Sequence, residues 1–181
     1  MSRATPATGD QLANALHTLG VNFVRGGKDI NASLRNHPSR LIAGLVESDE
    51  ARLRLSLIPL FLEHPEYASR VRAVAKRLEL SARITLQSYY SMAVWLAKKY
   101  QLNISLPDHF AKDLKLMPVD DPDENLRALA RRHTELNGSY VNWLATYRHA
   151  EQVWRKGFER RKFDFAPDIL KHLQELKNRL K

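Results

Sequence analysis

The chain has 181 residues, 44% apolar and 27% charged, which suits one globular core. The lack of cysteine excludes disulfides, thiolate metal sites and a thiol nucleophile. A net charge of +9 favours anionic partners (phosphate backbones, acidic membranes or acidic proteins) without choosing among them.

No apolar run approaches the roughly 20 residues that span a bilayer, and MSRATPATGD at the N-terminus lacks the apolar stretch of a signal peptide. A cytoplasmic protein without membrane contact is expected. Residues 1–9 read as a loose tail and 10–181 as one helical domain. Leu12, Ala15, Leu16 and Leu19 recur at helical spacing, which predicts a first helix over 9–24, ending near Gly26 and Gly27. A short helix follows over 39–47. A third is predicted over 49–63, capped by Ser48 and kinked at Pro59. The strand-like alternation ARLRLSLI inside it has no partner strand, so helix is retained.

Pro65, Pro107, Pro122 and Pro167 each precede an acid. Proline is tolerated where a helix opens, and an acid there meets the positive end of the dipole. Helices are therefore predicted over 65–78, 107–115, from 122 to a break near Asn137 and Gly138, and over 167–180. In the third start, Asp121 caps and Glu124 stands at the capping-box position. Capping accounts for every acid of DDPDE, so no metal site is assigned there. Residues 81–100, with ITLQSYYSMAVWLA, lack a polar face over two turns and predict a buried central helix. Its tyrosines and Trp95 are core residues. From 139 to about 162 runs an aromatic and basic helix. The fold class is all-α, a single-domain bundle of about seven helices around 81–100.

The aromatic and basic helix is the best candidate for a binding surface. Trp143, Tyr147, Trp154 and Phe158 form one stripe for the core, and Arg148, Arg155, Lys156, Arg160, Arg161 and Lys162 occupy much of the rest. Residues 148–181 carry 10 basic against 5 acidic side chains, which suits phosphate or an acidic protein. An arginine can stack on Trp154 where the stripe is left open. A second candidate is VRAVAKRLELSARITL, 71–86. It reads as a helix-turn-helix with Ser81 capping the second helix, although Glu79 stands where the turn glycine belongs. His109 and Asp113 fall at i, i+4 but lack further metal ligands. No phosphate loop, metalloprotease, nucleophile-elbow or dinucleotide motif occurs, so no cofactor is expected.

Two resemblances bear on function. RALARRH, 127–133, resembles the Arg/His motif of the HEPN ribonuclease superfamily, which is also all-helical. The resemblance implies metal-independent RNA cleavage, with His133 moving a proton and Arg127 stabilising phosphorane charge. The polar residue that often follows that arginine is Ala128 here. Arg127 and His133 sit about 120° apart around a helix, and a solvated face of Arg127, Arg131 and Arg132 is the alternative. SLIPLFLEHPEYASRV and LQSYYSMAVWLAKKY, within 55–100, resemble small helical bacterial proteins encoded beside nucleotidyltransferase-domain proteins in toxin–antitoxin or defence modules. This implies a partner protein and a non-catalytic role.

Three functions follow, in order. The first is a non-enzymatic interaction protein or antitoxin-like regulator that binds its partner through the basic C-terminal region. The second is a nucleic-acid binder, and the third is an HEPN-like ribonuclease.

Overall fold

Around α6 (Leu80–Lys99) the other helices form a coat, because this helix has no side fit for water. Residues 84–86 and 88–97 are all buried. The computed structural model describes residues 7–21, 23, 33–138 and 141–160, and every regular element among them is helical. The predicted helix over 167–180, together with Arg161 and Lys162, lies outside the described residues. Before α6 come α1 (Gly9–Thr18), α2 (Pro38–Glu47), α3 (Ala51–Leu55), α4 (Leu57–Glu63) and α5 (Ala68–Ala75). After it come α7 (Pro122–Asn137) and α8, residues 143–160. The all-α bundle around a buried central helix is the architecture read from the sequence.

Several boundaries differ from expectation, each for a local reason. Thr8 caps α1 by accepting the Gln11 N–H at 3.3 Å, while the Gln11 side chain accepts the Thr8 N–H at 3.0 Å. Thr8 and Gly9 thus belong to a helix start and not to a loose tail. The helix stops at Thr18, well short of 24. Gly20 turns left-handed at φ 78°, and the Val21 N–H closes onto the Leu16 carbonyl at 2.9 Å.

The expected helix over 49–63 is two helices. The break falls at Ser56, which is fully buried and donates its hydroxyl to the Leu53 carbonyl. That hydroxyl competes with the helical ladder. Pro59 lies in the first turn of α4, where its missing N–H has no helical partner to lose, so the interruption expected at the proline falls one turn earlier, at Ser56. Ser48 does not cap α3 either. It closes α2, and its hydroxyl accepts the Glu50 N–H just before α3 opens.

The expected 65–78 helix opens as a tight 3-10 turn, Pro65–Tyr67, and ends at Ala75. Residues 107–115 make no helix. The Asp108 carboxylate takes the Phe110 and Ala111 N–H groups, and Lys115 at φ 54° ends the single turn that follows. Asp121 does cap α7, accepting the Asp123 N–H at 2.8 Å, and Gly138 ends it at φ 57°. Glu124 makes no capping box. It pairs with Arg127 at 3.8 Å.

Three contacts fix α6 in its coat. Phe61 of α4 meets Tyr90 edge-on at 5.0 Å, and the Tyr90 hydroxyl donates to the Pro107 carbonyl at 2.8 Å. Tyr89 faces α7 and α8, with ring centroids 6.1 Å from His133 and 6.3 Å from Trp143 and Tyr147. At the C-terminal end, Lys99 donates to Asp123 of α7 at 2.6 Å and pairs with Glu151 of α8 at 2.9 Å. Tyr100 donates to Glu151 at 2.6 Å. Burial works against the Lys99 ammonium, but its hydrogen bonds to Asp123 and Glu151 outweigh that and raise its pKa. One cation thus ties three helices, and its loss strands a largely buried carboxylate. Lys99→Met is expected to cost about 2 kcal/mol in urea unfolding, and Lys98→Met, whose ammonium lies over the Trp95 ring, clearly less.

Candidate interaction surfaces

α7 carries both residues of the Arg/His pair, and their fates diverge. His133 is 0% exposed. Its ring stacks on Trp143 at 3.7 Å. Asn137 Nδ2 lies 2.9 Å from Nε2, and the Tyr147 hydroxyl lies 2.8 Å from Nδ1. With the Asn137 amide donating to Nε2, the ring proton sits on Nδ1, facing Tyr147. Arg127 turns outward to Asp121 and Glu124 at 3.7 and 3.8 Å. The structure therefore does not bring Arg127 and His133 together. A ring enclosed by aromatic side chains, with both nitrogens engaged, has no open side for a phosphodiester. The pair, the lowest-ranked of the three functional readings, is thus given no shared site by this geometry. Nor is RALARRH wholly a solvated face: Arg131 is exposed, but Arg132 is half-buried and donates to the Leu114 carbonyl at 2.9 Å.

The stripe on α8 faces the core as its spacing predicts. Tyr147, Ala150 and Trp154 are buried, and Trp143 and Phe158 pack partly buried against them. Trp154, at 3% exposed, stacks on Phe158 and meets Tyr100 edge-on at 5.5 Å. It is a core residue and offers no platform for a ligand, so the stripe is not left open there for a stacking arginine. The cations fare differently. Arg148, Arg155, Lys156 and Arg160 are all exposed. Arg155 pairs with Glu159 at 3.4 Å, while Arg148, Lys156 and Arg160 form no ion pair among the described residues.

A further basic surface lies on α5 and the start of α6. The two helices follow each other through a tight turn, yet they do not present a reading helix. Ser81 is inside α6, and the cap position is Glu79, whose side chain makes no capping bond. A recognition helix must stand proud to enter a major groove about 12 Å wide. Here the first turns of α6 line a groove of about 440 Å³ closed on its far side by Phe110, Asp113 and Leu136. Arg72, Lys76 and Arg83 rim it. The sequence reading missed this groove. Its signal was available: α5 carries cations at Arg72 and Lys76 on one face, and an unusual leucine, Leu80, opens α6. His109 and Asp113 do not converge: His109 stacks on Tyr90 at 5.5 Å, whereas Asp113 accepts from Gln87 at 3.4 Å. Among the described residues no three acids or histidines gather as a metal site, and no helix is long and apolar enough to cross a membrane.

No protein-family model, curated protein or solved structure matches the chain. The surfaces are therefore the only guide to function.

Burial pushes the His133 imidazole from its usual 6.5 down to about 3. The ring is neutral in the fold, whereas the unfolded chain binds a proton below about pH 6.5. Its contribution is complete above that pH and is lost as the pH falls towards 3. Between about pH 7.5 and pH 5 the loss is about 2 kcal/mol. Urea unfolding should show wild type losing that much more stability over this interval than His133→Gln. Equal losses would mean that the ring is not held neutral.

Proposed function

We propose that this chain is a non-enzymatic helical interaction protein, a subunit or antitoxin-like regulator, that holds an acidic partner protein on the outer face of α8. The observation that carries this reading is the division of α8 into two faces. Tyr147, Ala150 and Trp154 anchor it in the core, and Arg148, Lys156 and Arg160 stand exposed without ion pairs among the described residues. A rigidly backed helix presents such charges at little ordering cost. Fixed cations of this kind steer an acidic surface and set its register.

The resemblance of 55–100 makes a nucleotidyltransferase-domain protein the first partner to try, in the cytoplasm. Nucleic acid is the competing ligand for the same cations, with affinity that falls steeply as salt rises.

The test is a tagged pull-down from the native host's lysate, with and without nuclease, repeated with Arg148→Glu, Lys156→Glu and Arg160→Glu combined. The expected result is a stoichiometric protein that survives nuclease and is lost from the triple variant. Recovery of nucleic acid, with every protein lost on nuclease treatment, would overturn the reading.

A further inference from the structure

Four large apolar side chains stand well out of the described surface: Leu80 at 61%, Met117 at 89%, Val119 at 50% and, apart from these and just before α8, Val141 at 45%. Leu80 lies on the lip of the α5–α6 groove, beside Ile84, Phe110 and Leu136. Above this apolar floor Arg72, Lys76 and Arg83 form no ion pair among the described residues. The acid in the lining, Asp113, is already engaged by Gln87. Such a groove suits a ligand that combines apolar side chains with negative charge. A bare phosphate chain would leave the floor uncovered and meet Asp113.

The chain itself carries a segment of that description. Met117 and Val119 project from the turn before α7, and Asp120 and Asp121 follow at once. The Asn125 side chain clamps this turn, accepting the Val119 N–H at 2.9 Å and donating to the Val119 carbonyl at 2.7 Å. The segment is thus held rigid with its apolar side chains outward. Its clamp at Asn125 and the groove residue Leu136 lie eleven residues apart on α7, roughly 16 Å at the helical rise. None of residues 116–121 lines the groove of its own chain, and Met117 stands 89% exposed. Asp121 caps α7 through one carboxylate oxygen and meets Arg127 at 3.7 Å through the other, and Asp120 makes no ion pair among the described residues.

We propose that residues 116–121 of one copy seat in the α5–α6 groove of a second copy. Met117 and Val119 cover Leu80 and Ile84, and Asp120 and Asp121 meet Arg72, Lys76 and Arg83. One contact then buries three of the four exposed large apolar side chains and brings acids to three cations that have no ion pair among the described residues. Complementary but different patches on one chain are what joins copies head to tail. The α8 face takes no part, so this contact and the partner reading stand or fall separately.

The test is sedimentation velocity on the full chain over a concentration series, with Leu80→Glu and Met117→Lys. Both sites are exposed, and circular dichroism confirms the fold of each variant. Wild type is expected to self-associate, and each variant to do so at least tenfold more weakly. Mixing the two variants should restore association, because one retains an intact segment and the other an intact groove. A monomeric wild type at high micromolar concentration would overturn the proposal. So would variants that associate like wild type, or single losses that mixing does not restore. Binding of a labelled single-stranded oligonucleotide that Leu80→Glu abolishes would overturn it in favour of nucleic acid.

Discussion

A 20-residue helix without a polar side must be covered on every face, and the rest of this molecule is arranged by that need. α4 lays Phe61 against Tyr90, and α7 packs along it with His133 facing Tyr89. α8 completes the coat through Trp143, Tyr147 and Trp154. The same demand decides the fate of His133. A histidine on the inner face of α7 is carried into the aromatic layer around Tyr89, where only its neutral form is tolerated. Its two hydrogen bonds satisfy a polar ring that core packing has enclosed.

Among the described residues no Asp, Glu, Lys or Arg is buried in the core, so charge stays towards the outside, and part of it is unpaired there. Lys99 is ordered between Asp123 and Glu151, where it fastens the end of α6 to both later helices. Two groups of cations without ion pairs among the described residues stand on separate surfaces, the outer face of α8 and the rim of the α5–α6 groove. Each is backed by rigid helix. The two differ in chemistry: the α8 face is charged and open, while the groove joins charge to an apolar floor. On that difference rest the two proposals, a partner protein for the first surface and a second copy for the second.

Helix identity was legible in the sequence wherever periodicity was strong or a cap was explicit. The α6 span came out nearly unchanged, because twelve or more apolar positions dominate any local preference. Asp121 with Pro122 at one end, and Gly138 at the other, marked α7 correctly. The failures share a cause. Ser56 breaks a helix through a hydroxyl bond that composition does not reveal. Gly20 ends α1, whereas the eye goes to the Gly26 and Gly27 pair. Pro107 and Asp108 look like a helix start, but the Asp108 carboxylate folds the backbone into a turn instead. The candidate sites were less legible still. Periodicity correctly placed the α8 aromatics inward and its cations outward. It could not show that His133 faces inward while Arg127 faces out, since that depends on how α7 is rolled against α6. The groove joins residues from α5, α6, α7 and the turn before α7, a juxtaposition that no local string encodes.

The most direct test of this account is native-state hydrogen exchange along the chain. If α6 is the helix that all others cover, amides from 84 to 97 should exchange only by global unfolding. Their opening free energy should then equal the stability from urea denaturation. Amides of α1, α3 and the 107–116 turn should open at lower free energy. Exchange of α6 through a low-energy local opening, with α1 and α2 still protected, would contradict the account.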